Sequence, residues 1–536
     1  MSSICELAAL REWLSRPESY PHRPEKIETV ETHISLVFLA DEYVYKLKKP
    51  VRFDFLDFSS LALREQACRD EVRLNRRLAP ETYLDVVAVY RRADGGFCFE
   101  PTGEPVEWLV RMRRLPTELT LDRLFQRGAI TPRMIDDLAE RLATFYAEQP
   151  PEAISAEVYR ARYRGHIQGN RRELLQTPEL NGELVRRVHS AQLEFLLLRP
   201  ELFSARVRAG RIVEGHGDLR PEHICLTNPP VIFDCIEFNR EYRQVDIADE
   251  LSFLAVECEY LGLPWIGERL LRRYRERTDD APPAALSAFY RSYRACVRAK
   301  VAALRGRQLE GAERSAEFAR ATRYLRLADR EVSPGRKARL LLIGGHSGTG
   351  KSTLARAWAE VSGAEWLRTD TLRTELFPGP GTGRDGVNEG VYSRVQRRKV
   401  YETLLTRAGR LLKQGVSVVA DGTFSEPDLI QAARHVAETS DADFLAVRCE
   451  CPFEIARARI ARRRERGGDP SQATEAVLQD QWRHASAYQD SEGIFTLDTR
   501  PSMDALVQTL VQQLTRDGIP SNFRNADARA IPCGGH

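Results

Sequence analysis

Residues 340–355 read LLLIGGHSGTGKSTLA, and no other stretch limits the possible folds of this chain as sharply. Gly345, His346, Ser347, Gly348, Thr349, Gly350, Lys351 and Ser352 match G-x-x-x-x-G-K-[ST] without a mismatch, and Thr353 follows. Four apolar residues, 340–343, predict a buried strand running into the glycines. An Ala-rich helical pattern covers 351–361 and stops at Gly363. Strand, glycine loop and helix N-terminus are the setting this motif requires. Glycines let successive backbone N–H groups face an anion, and the helix dipole adds partial positive charge. Lys351 can then reach the β- and γ-phosphates, and the Ser352 hydroxyl can ligate Mg²⁺. The expectation is binding of ATP with Mg²⁺.

A chain of 536 residues is long for one core. A polar, Pro-Gly-bearing stretch at 331–337 (EVSPGRK) predicts a linker between a domain over 1–330 and another over 338–516, with a disordered polar tail at 517–536. Net charge is only +3, which argues against a whole-molecule nucleic-acid field. Ten cysteines are scattered, and the pair Cys449 and Cys451 lacks a second CxxC partner, so reduced thiols are expected rather than zinc. No apolar run approaches ~18 residues and no signal-like segment opens the chain, so a cytoplasmic protein without a membrane span is expected.

In the N-terminal part, 34–40 and 43–47 predict a hairpin, followed by a helix over 61–78 and strands near 84–90 and 107–112. Lys46 and Lys48 share one strand face by the two-residue period, and either is a candidate phosphate contact. Helical patterns dominate beyond Pro116. The segment GHGDLRPEHICLTNPPVIFDCIEF then places His216 and Asp218 in a loop and Asp234 at the end of a short strand, 231–233. Two aspartates at the ends of a hairpin suit phosphoryl transfer, one as base and one as metal ligand. Asp246 and Asp249 are expected to hydrogen-bond beneath that loop. The helical run 288–304 spaces Arg291, Arg294, Arg298 and Lys300 around a helix, predicting a solvated charged face or a basic wall for an acidic substrate.

The pattern at His216, Asp218 and Asp234 resembles that of the aminoglycoside phosphotransferase family, a branch of the protein-kinase-like fold, over residues ~25–310. The resemblance implies a bilobal fold with Asp218 as catalytic base, Asp234 as metal ligand, Lys46 as the phosphate lysine (Lys48 as runner-up) and Glu71 as its helix partner. It also implies an Asn metal ligand five residues after the base, where this chain has His223. The lobe is therefore expected either to catalyse with altered metal coordination or to act as a regulatory pseudokinase.

After the glycine loop, strand-like runs at 366–369, 416–420, 444–449 and 494–497 alternate with helical patterns, the clearest at 400–413. Such alternation predicts a parallel, doubly wound sheet. Asp370 and Arg373 form a D-x-x-R at the expected C-terminal edge of the sheet, where a carboxylate can act on an acceptor hydroxyl and an arginine on its anion. Asp421 ends the third strand as a carboxylate that can serve Mg²⁺. The run 457–466 (RARIARRRER), leading to 467–469, predicts an arginine lid with Arg459 and Arg463 on one face. Residues ~338–516 resemble the small P-loop kinases grouped with gluconate kinase, zeta toxins and polynucleotide 5′-kinases. Together the two halves resemble bacterial fusions of a phosphotransferase-like domain with a P-loop kinase. The fold class expected is α/β and α+β in two domains. The function expected is phosphoryl transfer from ATP to a hydroxyl of a small-molecule acceptor, with polynucleotide 5′-hydroxyl kinase, or a P-loop kinase regulated by a pseudokinase lobe, as alternatives.

Overall fold

The computed structural model describes residues 3–53, 56–378, 393–466, 475–483 and 493–516. Most of residues 377–390, a loop where the acceptor pocket is expected to lie, together with residues 467–469 of the lid and the 517–536 tail, lie outside the described residues. Among the described residues no helix is long and apolar enough to cross a membrane.

The chain forms two compact units. One comprises residues 1–154 and 205–283, the other 155–204 and 284–536. This division is not the single break in sequence that a linker at 331–337 implies, because two helical segments from the first 332 residues pack with the P-loop sheet.

The first unit contains a six-stranded antiparallel sheet in the order Ile27–Glu31, Ser35–Ala40, Tyr43–Lys48, Pro105–Arg113, Tyr83–Arg91, Phe97–Cys98. Its central strands are covered on both faces, with Leu47 and Leu109 in one core cluster and Val44, Val110 and Met112 in another. Helix Leu61–Asn75 starts at Ser60, whose hydroxyl accepts from the Leu63 amide, and its Cys68 and Val72 pack with Val44 and Val110. A helical core built on Pro132–Glu148, Ile247–Leu261 and Pro264–Arg277 completes the unit.

The second unit is organised around a five-stranded, wholly parallel sheet in the order Glu365–Arg368, Val418–Asp421, Arg339–Gly344, Asp443–Glu450, Ile494–Asp498. Its central strand is buried along its whole length, as a continuous apolar run covered on both faces should be. Helices Ala156–Leu175, Gly182–Leu198, Ala284–Gln308 and Gly311–Val332 belong to this unit. Leu197 joins the core formed by Leu341, Ile343, Leu354 and Trp358. Arg294 and Arg298 are buried, Arg298 lies over the Tyr324 ring, and Arg291 pairs with Glu331 at 2.9 Å. The charged face expected in solvent is thus turned inward, because its helix packs along Gly311–Val332.

Glu194 fastens this helical layer to the sheet's N-terminal edge. It accepts from the Ser417 hydroxyl (2.9 Å) and from Arg336 (2.9 Å), and Ser417 in turn receives the Arg339 amide (3.1 Å). Burial alone would raise the Glu194 carboxyl, but Arg336 and Arg339 outweigh it and hold the pKa below the ordinary value. The stability this carboxylate contributes is therefore present above the unfolded carboxylate range and is lost as pH falls through the lower folded pKa. Glu194→Ala strands a buried guanidinium, and the expected loss is about 3–5 kcal/mol. Urea denaturation of the full chain checks this, and a change within about 0.5 kcal/mol, the usual range for a surface substitution, would refute it.

Candidate functional site

In the second unit the glycine loop leaves the central strand at Gly344. Gly345 and Gly348 have φ of 135° and 79°. A Cβ on either would stand 2.5 Å from a backbone oxygen, that of Cys449 or Ala456, so the loop conformation accepts only glycine. Helix Lys351–Ser362 begins directly after it. Lys351 Nζ makes only a long contact, 3.4 Å, to the His346 carbonyl. The Ser352 hydroxyl neighbours Asp421, whose carboxyl is raised by burial although Lys351 and Ser352 draw it down. Asp421 stands in register with Ile343 on one side and Arg368 on the other, at the sheet edge where the loop begins. Thr353 is exposed in the first turn. Burial, with Lys351 and Arg448 nearby, lowers the His346 imidazole to about 4, so it is neutral at ordinary pH.

Asp370 lies in the first turn of helix Thr369–Leu376, two residues past the strand end. Arg373 binds one of its oxygens at 2.6 Å, and Arg368 approaches the other at 3.5 Å and Asp421 at 3.8 Å. Trp366 Nε1 donates to Asp421 at 3.3 Å. Arg368 and Trp366 were not singled out in the sequence, although both alternate onto the same strand face as the edge carboxylates. Arg459, expected in the lid, is anchored beside the loop: it donates to the Thr499 hydroxyl (3.0 Å) and carbonyl (2.8 Å), while that hydroxyl donates to the Thr349 carbonyl (2.6 Å). Arg463 is half-buried one turn on in helix Phe453–Arg466. Gln481 Oε1 accepts the Ser347 amide at 2.8 Å, and Trp482 lies against His346.

The first unit brings together Lys46, Glu71, Asp234, Asp218 and His223. Lys46 Nζ donates to Glu71 (2.8 Å) and to Asp234 (2.7 Å). Burial would lower Lys46, yet Asp234 and Glu71 hold it well above the lysine value. Asp234 is likewise driven upward by burial, but Lys46 and His223 hold it far below the usual carboxylate range. Its φ of 62° is fixed by two hydrogen bonds, its own amide to the Tyr83 hydroxyl (3.1 Å) and the Cys235 amide to Asn75 (2.9 Å). Lys48 is fully buried, bonded to Glu71 (2.6 Å) and Glu237. It has no route to a phosphate, which removes it as the runner-up for Lys46.

Asp218 receives Arg220 at 2.9 Å. His223 Nδ1 sits 2.9 Å from the Asp218 carbonyl, and its Nε2 lies 3.2 Å from Arg220 and 3.5 Å from Asp234. With Nδ1–H donating to the carbonyl, the Nε2 lone pair faces Arg220. Glu250 does the work expected of Asp246 and Asp249: it accepts the backbone amides of His216 and Gly217 and the Tyr146 hydroxyl. Asp246 instead caps helix Ile247–Leu261 and binds Arg206.

The donors in the second unit fit a nucleoside triphosphate with Mg²⁺: a glycine cradle, an uncommitted lysine and a Ser–Asp oxygen pair. In the first unit the oxygens of Asp234 fit Mg²⁺, but the imidazole turned toward Arg220 adds no oxygen ligand. Among the described residues no group of three or more His, Cys, Asp or Glu side chains is arranged to hold a metal.

The family model described as an AAA domain matches residues 340–487. The uncharacterized protein Rv2004c of Mycobacterium tuberculosis H37Rv is 37% identical over 459 residues, 84% of this chain and 88% of the relative, and the Mycobacterium bovis protein Mb2027c matches equally. The chain belongs to their family. Among solved structures, a choline/ethanolamine kinase family protein of Mesorhizobium loti covers 60% of this chain and 99% of its own at 14% identity and a TM-score of 0.35. A putative kinase of Chloroflexus aurantiacus covers 33% of this chain and 97% of its own at 23% identity and a TM-score of 0.27. The APS kinase of M. tuberculosis with AMPPNP and APS covers 34% and 99% at 21% identity and a TM-score of 0.25. These likenesses are too distant to fix a substrate for the family.

Proposed function

We propose that the chain is an ATP-dependent phosphotransferase with two kinase-type modules, of which the P-loop unit transfers to a hydroxyl of a small-molecule acceptor. The observation that carries the reading is the convergence of Lys351, the Ser352–Asp421 pair and the Asp370–Arg373 pair at one edge of a parallel sheet. ATP with Mg²⁺ would supply the transferable phosphoryl group. The loop amides and Lys351 hold phosphate oxygens, and Ser352 with Asp421 holds the metal. Asp370 orients the acceptor hydroxyl and takes its proton at a carboxylate oxygen, while Arg373 keeps that carboxylate aimed. Lys351 and Arg459 set positive charge against the negative charge that develops on the phosphoryl oxygens, a preorganised electrostatic contribution.

In the first unit Lys46 and Glu71 would order the phosphates, Asp234 the metal, and Asp218 the acceptor. The Arg220 pair on Asp218 and the engaged imidazole of His223 favour a second reading, in which this unit binds nucleotide and regulates without transferring. Asp218→Ala distinguishes them: in full chain carrying Lys351→Ala it should abolish the residual ATP turnover if this unit transfers and leave turnover unchanged if it only regulates. If the unit transfers, His223→Asn, which sets an amide oxygen near Asp234, should leave that turnover level or raise it; a fall would instead make His223 an acid–base group. The overall reading is tested by ATP consumption of the full chain against sugars, aminoglycosides, nucleosides and 5′-hydroxyl oligonucleotides. Acceptor-dependent turnover that Lys351→Ala removes supports it. Turnover insensitive to both Lys351→Ala and Asp218→Ala rejects it, and oligonucleotide phosphorylation selects the polynucleotide alternative.

A further inference from the structure

A continuous ionic chain runs through the interior of the first unit: Asp234, Lys46, Glu71, Lys48, Glu237. Three elements contribute, namely strand Tyr43–Lys48, helix Leu61–Asn75 and the segment after strand Val231–Ile232. Lys46 and Lys48 are two residues apart, so both ammonium groups leave the same strand face. They converge on Glu71, one on each oxygen, at 2.8 and 2.6 Å. Glu71 and Lys48 are wholly inaccessible, and the Glu237 side chain is only 5% exposed. The Phe58 ring lies 5.0 Å from the Lys48 ammonium.

A carboxylate held by one ammonium can rotate about its terminal bond and take its partner with it. One held on both oxygens cannot. The second lysine is costly, since two well-packed apolar residues in place of Lys48 and Glu237 would serve stability as well or better. Its cost therefore calls for a role in geometry. We propose that Lys48 is a positioning residue that, by binding the second oxygen of Glu71 and the Glu237 carboxylate, fixes Glu71 and thereby aims Lys46 at a bound phosphate. This rests on the reading of the first unit as a nucleotide site. The competing account makes Lys48 a mere counter-ion for Glu237.

The test uses full chain with Lys351→Ala, which weakens the P-loop site, and measures the change that each first-unit variant makes in affinity for Mg·ATP and for adenosine, together with thermal stability. Lys48→Met/Glu237→Gln removes both charges of the outer pair and leaves Lys46 with Glu71. The double variant is expected to melt within a few degrees of its parent and to bind Mg·ATP about tenfold or more weakly, with adenosine binding unchanged, because only the phosphate lysine has lost its aim. Parent-like Mg·ATP affinity in the double variant, while Lys46→Ala abolishes it, overturns the inference and leaves the nucleotide reading standing. Parent-like affinity in Lys46→Ala overturns the reading, and the inference with it. Should the double variant not fold, Lys48→Leu/Glu237→Met is the second form. Failure of both to fold, seen by circular dichroism, makes Lys48 structural and also overturns the proposal.

Discussion

Asp370→Asn is expected to depress phosphoryl transfer by roughly 10²–10⁴, the range for a lost general base, while nucleotide affinity stays within a few-fold of the parent. The asymmetry follows from where Asp370 stands. It is in the first turn of the helix after the edge strand, its oxygens facing Arg373 and Arg368, whereas Asp421 is the carboxylate beside Lys351 and Ser352 of the glycine loop. An Asn keeps the size and one oxygen but cannot take a proton, and it weakens the grip on Arg373. Transfer measured with the acceptor found by the screen, beside nucleotide binding by fluorescence titration, decides the point. A matching collapse of nucleotide affinity would make Asp370 a nucleotide or metal residue instead.

Lys351→Ala should cost about 2–4 kcal/mol in the transition state, which is a loss of roughly 30- to 1000-fold in kcat/KM for ATP. Among the described residues the one hydrogen bond of Lys351 is the 3.4 Å contact to its own loop, and Asp421, whose carboxyl it helps to draw down, keeps Trp366 at 3.3 Å and Arg368 at 3.8 Å. The melting temperature should therefore hold while turnover falls. Unchanged kcat/KM for ATP in the full chain with Asp218→Ala, where the first unit is silenced, would sink the assignment.

The sheet of the second unit was legible because its signals are local. Residues 340–343 are apolar on every position, which only a strand covered on both faces tolerates, and the loop glycines are demanded by backbone approach. The hairpin carrying Lys46 and Lys48 was legible for the same reason. Which lysine meets phosphate was not, since period two puts both on one face and only depth within the fold separates them. Glu250 escaped notice for a related reason. Asp246, Asp249 and Glu250 lie within five residues, and on a helix each step turns the side chain by about 100°, so composition cannot choose the one beneath the loop. Helices were expected beyond Pro116 and over 288–304, but a helical pattern does not name its partner. Arg294 and Arg298 read as solvated because burying an arginine depends on a long-range neighbour, here Tyr324 for Arg298.

The fastening at Glu194 has a consequence for how the chain is made. Ser417 is synthesised roughly 220 residues after Glu194, which at ribosomal rates of about 5–20 residues per second is a wait on the order of 10–45 s. Through that interval helix Gly182–Leu198 has neither the sheet that buries Leu197 nor the guanidinium of Arg336 that balances its carboxylate. The first segment of the second unit must therefore leave the ribosome as an unfinished surface, while the residues between it and its partners, 205–283, complete the first unit. On the nascent chain the first unit can finish first, and the P-loop sheet can close only once strand Ile494–Asp498 has been made.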